Sequence, residues 1–140
     1  MVMEQLAVEI VGLCREYGEC RVEVERMEEA RRVKNALESV CAMARQRLDI
    51  SDPALLVALL DAYEVTRDEG LLQEVLDVVG GNLDRLAVSA ESVKLLAYCY
   101  YYVEEEECAG MAREMLEELR RKGEDVVEVE RIWLDITAKP

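Results

Sequence analysis

The chain contains no histidine, no phenylalanine and only two prolines. Histidine is the side chain that most often transfers protons in enzymes, so its absence removes the commonest form of acid–base catalysis. A cysteine nucleophile would have only a carboxylate or a lysine to act as its base. We therefore expect a non-catalytic protein that holds no cofactor.

Motifs that bind phosphate or metal ions are also missing. The sequence has no G-x-x-x-x-G-K-[ST] or G-x-G-x-x-G run, and its five cysteines form no C-x-x-C pair of the kind that structural zinc sites use. One row of carboxylates, Asp61, Glu64 and Asp68, has the spacing of a single helix face on which magnesium would bind. Such a row is more often a solvated helix face, so no metal site is predicted.

The formal net charge of −14 restricts the partners of the chain. Nucleic acids and anionic membrane surfaces both attract lysine and arginine, so neither is expected as a partner. A basic protein is the natural electrostatic partner. Residues 21–47 are richer in basic than in acidic side chains and are the one feature that favours nucleic acid. We expect these basic side chains to pair with glutamates of the same chain or of a second copy.

Apolar residues are frequent, but the sequence contains no run of about 18 of them, so no membrane-spanning helix is predicted. The N-terminus lacks the layout of a signal peptide, so a cytoplasmic location is predicted. The cysteines, Cys14, Cys20, Cys41, Cys99 and Cys108, are interpreted as small buried apolar residues. Disulfides between them would require a hyperthermophilic source, and the sequence leaves their redox state open.

Few helix breakers and apolar residues at spacings of three and four favour helices throughout the chain. The segment Ser51-Asp52-Pro53 is a helix start, because a capping side chain precedes proline in the first turn. Residues 22–26 and 127–131 share the pentamer VEVER, which alternates like a strand; helix is preferred for both, and a two-stranded ribbon is the alternative. The predicted helices cover residues 2–17 (ended by Gly18), 22–47, 53–65, 69–79 (ended by Gly80 and Gly81), 89–103 (capped by Ser89), 105–121 (ended by Gly123) and a C-terminal segment around 126–136, with a short turn capped by Asn82.

The run of glutamates at 104–107 is predicted to begin the helix that ends at Arg120, Arg121 and Lys122. Acidic residues at the start and basic residues at the end of a helix both interact favourably with its macrodipole. Adjacent carboxylates point in different directions around a helix, so we do not interpret this run as a calcium or magnesium site.

An internal repeat is visible when the sequence is shifted by 38 residues. The segment LLVALLDAYEV at 55–65 then falls on VKLLAYCYYYV at 93–103, and TRDEG falls on EEEEC. Helix–turn–helix units at such a period are typical of stacked helical hairpins.

The second of these units resembles a tetratricopeptide repeat. Leu96, Ala97 and Tyr100 match the large, small and aromatic positions of its first helix, and Ala109 matches a small position of its second. The resulting fold prediction is all-α, with about six or seven helices in stacked antiparallel hairpins, a TPR-like or α-solenoid-like bundle. We expect a single domain over residues 1–140, with a helix pair in 1–49 and two hairpins plus a C-terminal capping helix in 51–137.

The resemblance implies a peptide-binding groove along the first helix of the hairpin. The groove-lining positions would be Glu91, Lys94, Tyr98, Tyr101 and Tyr102. Helical spacing alone also separates two stripes. The first contains Val93, Leu96, Ala97, Tyr100 and Val103, and the second contains Leu95, Tyr98 and Tyr102. The second stripe either faces a ligand or is buried beneath Trp133 or the basic helix.

These observations predict a non-catalytic adaptor or scaffold module that binds a partner peptide or helix. The expected partner is a protein, either a basic one or a second copy of the chain in a homodimer. The alternative is a structural or oligomer-forming small subunit of a larger assembly.

Overall fold

A computed structural model describes residues 3–138 of the chain, and side chains from residue 5 onward. The start predicted for the first helix at residue 2 lies outside these limits. Within them the chain forms seven α-helices and no strand, which confirms the all-α prediction. The helices are α1 (Met3–Cys20), α2 (Met27–Arg45), α3 (Pro53–Thr66), α4 (Glu69–Gly80), α5 (Ala90–Val103), α6 (Glu106–Arg121) and α7 (Val127–Thr137).

The chain divides into two compact units, Met1–Gly81 and Asn82–Pro140. In the first unit, α1 packs against α2 and α3, and α3 also packs against α2 and α4. In the second unit, α5 packs against α6 and α7. The single domain predicted for residues 1–140 stays a prediction.

The sequence predicted that the first helix ends at Gly18. In the structure this helix continues to Cys20. A glycine within a helix costs only about 1 kcal/mol relative to alanine. Cys20 is fully buried, so the two further residues of helix carry an apolar side chain into the interior. Burial of this side chain offsets much of the glycine penalty.

The first VEVER segment is neither a strand nor part of α2. Val24–Arg26 form a short 3₁₀ helix, and α2 begins only at Met27. Val22, Val24 and Met27 are 73%, 80% and 61% exposed, and the first buried residue of α2 is Ala30. The second VEVER segment does belong to a helix, because α7 begins at Val127.

Side-chain caps begin α3 and α5. The Leu55 N–H donates to Asp52 Oδ1 at 3.2 Å, ahead of Pro53. The Ser92 N–H donates to Ser89 Oγ at 3.1 Å. Both starts were predicted from the sequence, since capping side chains satisfy N–H groups that have no partner inside the helix.

The two helix–turn–helix segments use the same turn, but at an offset of 37 residues rather than 38. Each first helix ends at a non-glycine residue with positive φ, Arg67 at 56° and Glu104 at 52°. Their N–H groups donate to Tyr63 O and Tyr100 O, both at 2.8 Å. These pairs, together with the caps Asp52 and Ser89, are each 37 residues apart.

This turn also changes the interpretation of the four glutamates. Glu104 is the left-handed residue that ends α5, and Glu105 precedes the first helical residue of α6. Only Glu106 and Glu107 occupy the first turn of α6, with Arg120 and Arg121 in its last turn. The predicted match to the helix macrodipole therefore involves these four side chains.

Candidate functional site

The first stripe of α5 forms the interior of the second unit. Val93, Leu96 and Ala97 have no exposed surface, and Tyr100 lies half-buried with its ring 5.9 Å from that of Trp133 in α7. Val103, the last residue of this stripe, is 42% exposed. Its position explains this, because Val103 is the last helical residue before the turn at Glu104.

The predicted partner-binding residues lie along another face of α5, which we call the α5 strip. It comprises Glu91, Lys94, Tyr98, Tyr101 and Tyr102. Glu91 and Tyr101 are exposed, the latter by 45%, whereas Lys94, Tyr98 and Tyr102 are half-buried. The neighbouring Leu95 is fully buried. The second stripe is therefore apolar and buried at Leu95, and it reaches the surface through its tyrosines.

Two contacts organise the strip. Lys94 Nζ lies 5.9 Å from the centre of the Tyr98 ring, a cation–π arrangement one helical turn apart. The Tyr101 and Tyr102 rings meet edge to face, with centroids 5.1 Å apart and planes at 80°. The strip thus presents charged and aromatic groups that contact one another along one face of α5.

A cleft of about 170 Å³ adjoins the start of the strip, between α5 and the beginning of α7. Its lining residues are Ala90, Glu91 and Lys94 from α5, and Asp125, Glu128, Val129 and Ile132 from the α7 segment. Two of the predicted site residues therefore belong to one cavity. The four residues of the α7 segment were not predicted as site residues. Their spacing places them along one face of the predicted C-terminal helix, but the sequence does not show that this face lies beside α5.

The shape of this cleft depends on the turn that precedes α7. The Val127 N–H donates to Asp125 Oδ1 at 3.1 Å, which holds that carboxylate beside the first turn of the helix. Arg120 of α6 pairs with Glu130 of α7, with Nε 3.1 Å from Oε2 and Nη2 contacting the same oxygen. These polar contacts and the Tyr100–Trp133 contact together hold α7 in place.

The carboxylate row considered for magnesium does not form one helix face. The α3 helix ends at Thr66, so Asp68 lies beyond it and caps α4 through the Leu71 N–H at 3.3 Å. Glu64 pairs with Arg67 at 3.3 Å. Among the side chains described, from residue 5 to residue 138, no group of three potential metal ligands converges.

A second cleft, of about 390 Å³, lies in the first unit beside Arg45. Arg45 donates from Nε to Glu74 Oε2 at 2.7 Å and from Nη1 to Asp68 Oδ2 at 2.8 Å. The guanidinium group lowers the pKa of Glu74. Near the start of the basic segment, Arg26 pairs with Glu29, with Nε 2.9 Å from Oε2. These arginines are paired with acids of the same chain, as the sequence predicted for the basic residues.

All five cysteines are free thiols. Cys14 is half-buried, and the other four are buried. Burial raises the pKa of Cys14 to about 11 and of Cys41 and Cys99 to about 12. Burial also raises the pKa of Cys20 and Cys108. Since the thiolate is the reactive form, these cysteines are poor nucleophiles near neutral pH.

No helix within residues 3–138 combines the length and apolar character that a bilayer crossing requires. In comparisons with known proteins, no protein-family model, no curated protein and no solved structure matches this chain.

Proposed function

We propose that this chain is a non-catalytic protein–protein interaction module that binds a partner peptide or helix along the α5 strip. The observation that carries the proposal is the position of Glu91 and Lys94 in the α5–α7 cleft, on the same helix face as the exposed Tyr101. A surface for a peptide needs a recess for an anchoring side chain and aromatic area beside it. The α5–α7 cleft supplies the recess, and the tyrosines of the α5 strip supply the aromatic area.

The chemistry of the chain agrees with a binding role. It contains no histidine, and the raised pKa of its thiols leaves little thiolate near neutral pH. Tyrosine is well suited to a binding surface, because its ring contributes apolar area while its hydroxyl group tolerates water. The excess of acidic residues favours a basic protein partner over nucleic acid.

A peptide selection tests this proposal. A random 16-residue peptide library would be displayed on phage and selected on the immobilised full-length chain, and the selected peptides would then be compared on wild type and on the Tyr101→Ala/Tyr102→Ala variant. We expect a shared consensus that depends on the strip. Absence of a consensus, or selected peptides that bind wild type and variant equally, would contradict the proposal.

A second candidate function, an oligomer-forming subunit, is favoured by exposed apolar residues at and just before the start of α2. Val22, Val24 and Met27 are all more than half exposed within six residues of chain. Exposed apolar groups close together often mark a protein interface. Light scattering after gel filtration distinguishes the two functions. A wild-type dimer that Val24→Ser/Met27→Ser converts to a folded monomer would favour the subunit. A wild-type monomer would favour the adaptor.

A further inference from the structure

From the cleft between α5 and α7 we infer the chemistry of the partner: the cleft accepts an arginine side chain of the bound peptide. This inference rests on the proposed function and specifies its partner. The cleft has an apolar wall and a charged rim. Val129 is 6% exposed and Ile132 is half-buried, whereas Glu91, Asp125 and Glu128 are exposed carboxylates.

The charges around the cleft favour a cation. Three carboxylates and one ammonium group line it, which leaves a net negative charge. The ammonium group of Lys94 lies over the Tyr98 ring, so part of its charge interacts with that ring. A cationic side chain that entered the cleft would meet carboxylates from both α5 and the α7 segment.

The size of the cleft favours a single side chain over a small-molecule ligand. Pockets for drug-sized molecules measure roughly 300–1,000 Å³, and this cleft measures about 170 Å³. An arginine side chain combines an apolar stem with a flat, charged end that donates hydrogen bonds in several directions. Its stem would pack on Val129 and Ile132, and its guanidinium group would face the carboxylates.

The test uses small probes with the uniformly ¹⁵N-labelled full-length chain. N-acetyl-arginine methylamide and its uncharged citrulline analogue, which has nearly the same shape, would be titrated separately while amide chemical shifts are recorded. We expect the arginine probe to shift amides of residues 90–94 and 125–132, with at least threefold tighter binding than the citrulline probe. Raising the salt concentration should weaken the binding of the arginine probe only.

Charge-neutralising variants locate the probe. Glu128→Gln should weaken arginine binding about two- to fivefold, because one carboxylate at the rim is lost. Lys94→Gln should strengthen it by a similar factor, because the only cation of the cleft is removed. Glu117→Gln on α6 neutralises an exposed acid outside the cleft lining and should change nothing.

The possible results separate this inference from the proposed function. Equal binding of both probes, shifts outside the cleft, or no shifts at all would overturn the arginine site. The peptide selection is independent of that result, since peptides that lack arginine could still depend on Tyr101. A consensus without a basic residue would therefore retain the proposed function and remove this inference.

Discussion

The ring of Tyr100 in α5 lies 5.9 Å from the ring of Trp133 in α7, with the two planes inclined at 50°. Tilted aromatic pairs at this separation contribute about 0.5–1.5 kcal/mol beyond the apolar area that they bury. Trp133 is the only tryptophan of the chain and is 6% exposed. The contact fixes α7 on α5, and the α5–α7 cleft depends on that placement.

Replacing Trp133 by alanine should destabilise the protein by about 3–5 kcal/mol, because a large buried side chain is lost from the α5–α7 contact. The neighbouring Leu134 is 55% exposed, so Leu134→Ala is a matched control with an expected loss below about 1 kcal/mol. Urea unfolding followed by circular dichroism measures both, since tryptophan fluorescence is absent from the first variant. Equal losses in the two variants would show that Trp133 does not anchor α7.

The left-handed turn at Glu104 predicts a stabilising substitution. Glycine adopts positive φ without the steric penalty of a side chain, so Glu104→Gly should stabilise the chain by about 0.5–1 kcal/mol. Gly123 has φ of 76°, and Gly123→Ala should destabilise by a similar amount. Thermal and urea unfolding measure these changes. A less stable Glu104→Gly variant would argue against a positive φ at residue 104.

Acid should remove the contribution of the Arg45–Glu74 pair. The folded-state pKa of Glu74 is lowered, so its contribution is present above the unfolded value of about 4.3 and is lost as the pH falls through the folded value. Both side chains are partly exposed, so the effect of Glu74→Gln at pH 7 should stay below about 1 kcal/mol.

Unfolding measured at several pH values tests this pair. The difference in stability between wild type and Glu74→Gln should shrink at pH 3 and at high salt. Glu117→Gln provides the control, with no comparable change expected. A difference that grows toward low pH would have the wrong sign for a lowered pKa.

Thiol reactivity should reflect burial. Burial raises the pKa of Cys41 and Cys99 to about 12, so iodoacetamide at pH 8 should modify them slowly in the folded chain and rapidly in urea. Cys14, with a pKa of about 11 and partial exposure, should react first among the five. Mass spectrometry of timed samples gives the order. Rapid modification of Cys99 without denaturant would show that the α5–α6 contact opens readily.

Capping side chains made several helix boundaries predictable from the sequence. Asp52 and Ser89 each satisfy a backbone N–H at a helix start, and this local chemistry is visible in the residue types alone. The end of α5 was predicted at residue 103, where the helix does end, but the left-handed turn that follows was not predicted, because Glu104 adopts positive φ without being glycine. The turns at Arg67 and Glu104 lie 37 residues apart, one fewer than the shift of 38 that aligns the apolar segments.

Only the part of the candidate site that lies on α5 could be predicted from the sequence. The resemblance to a tetratricopeptide repeat implied that Glu91 and Lys94 line a groove along α5, and both line the cleft. Asp125 and Glu128 come from a segment more than 30 residues away in the sequence, and only tertiary packing brings them to the same cavity. Burial also separated side chains that spacing grouped together, since Leu95 is fully buried while Tyr101 is exposed.

The most direct test of the account is the dissociation constant of a peptide carrying the selected consensus, measured by isothermal titration calorimetry. Wild type would be compared with Tyr101→Ala/Tyr102→Ala and with Tyr17→Ala, which alters a half-buried tyrosine of α1 in the first unit. If the α5 strip is the binding surface, the double variant loses at least tenfold in affinity and Tyr17→Ala loses less than twofold. Equal affinities for all three folded proteins would contradict a binding role for the α5 strip.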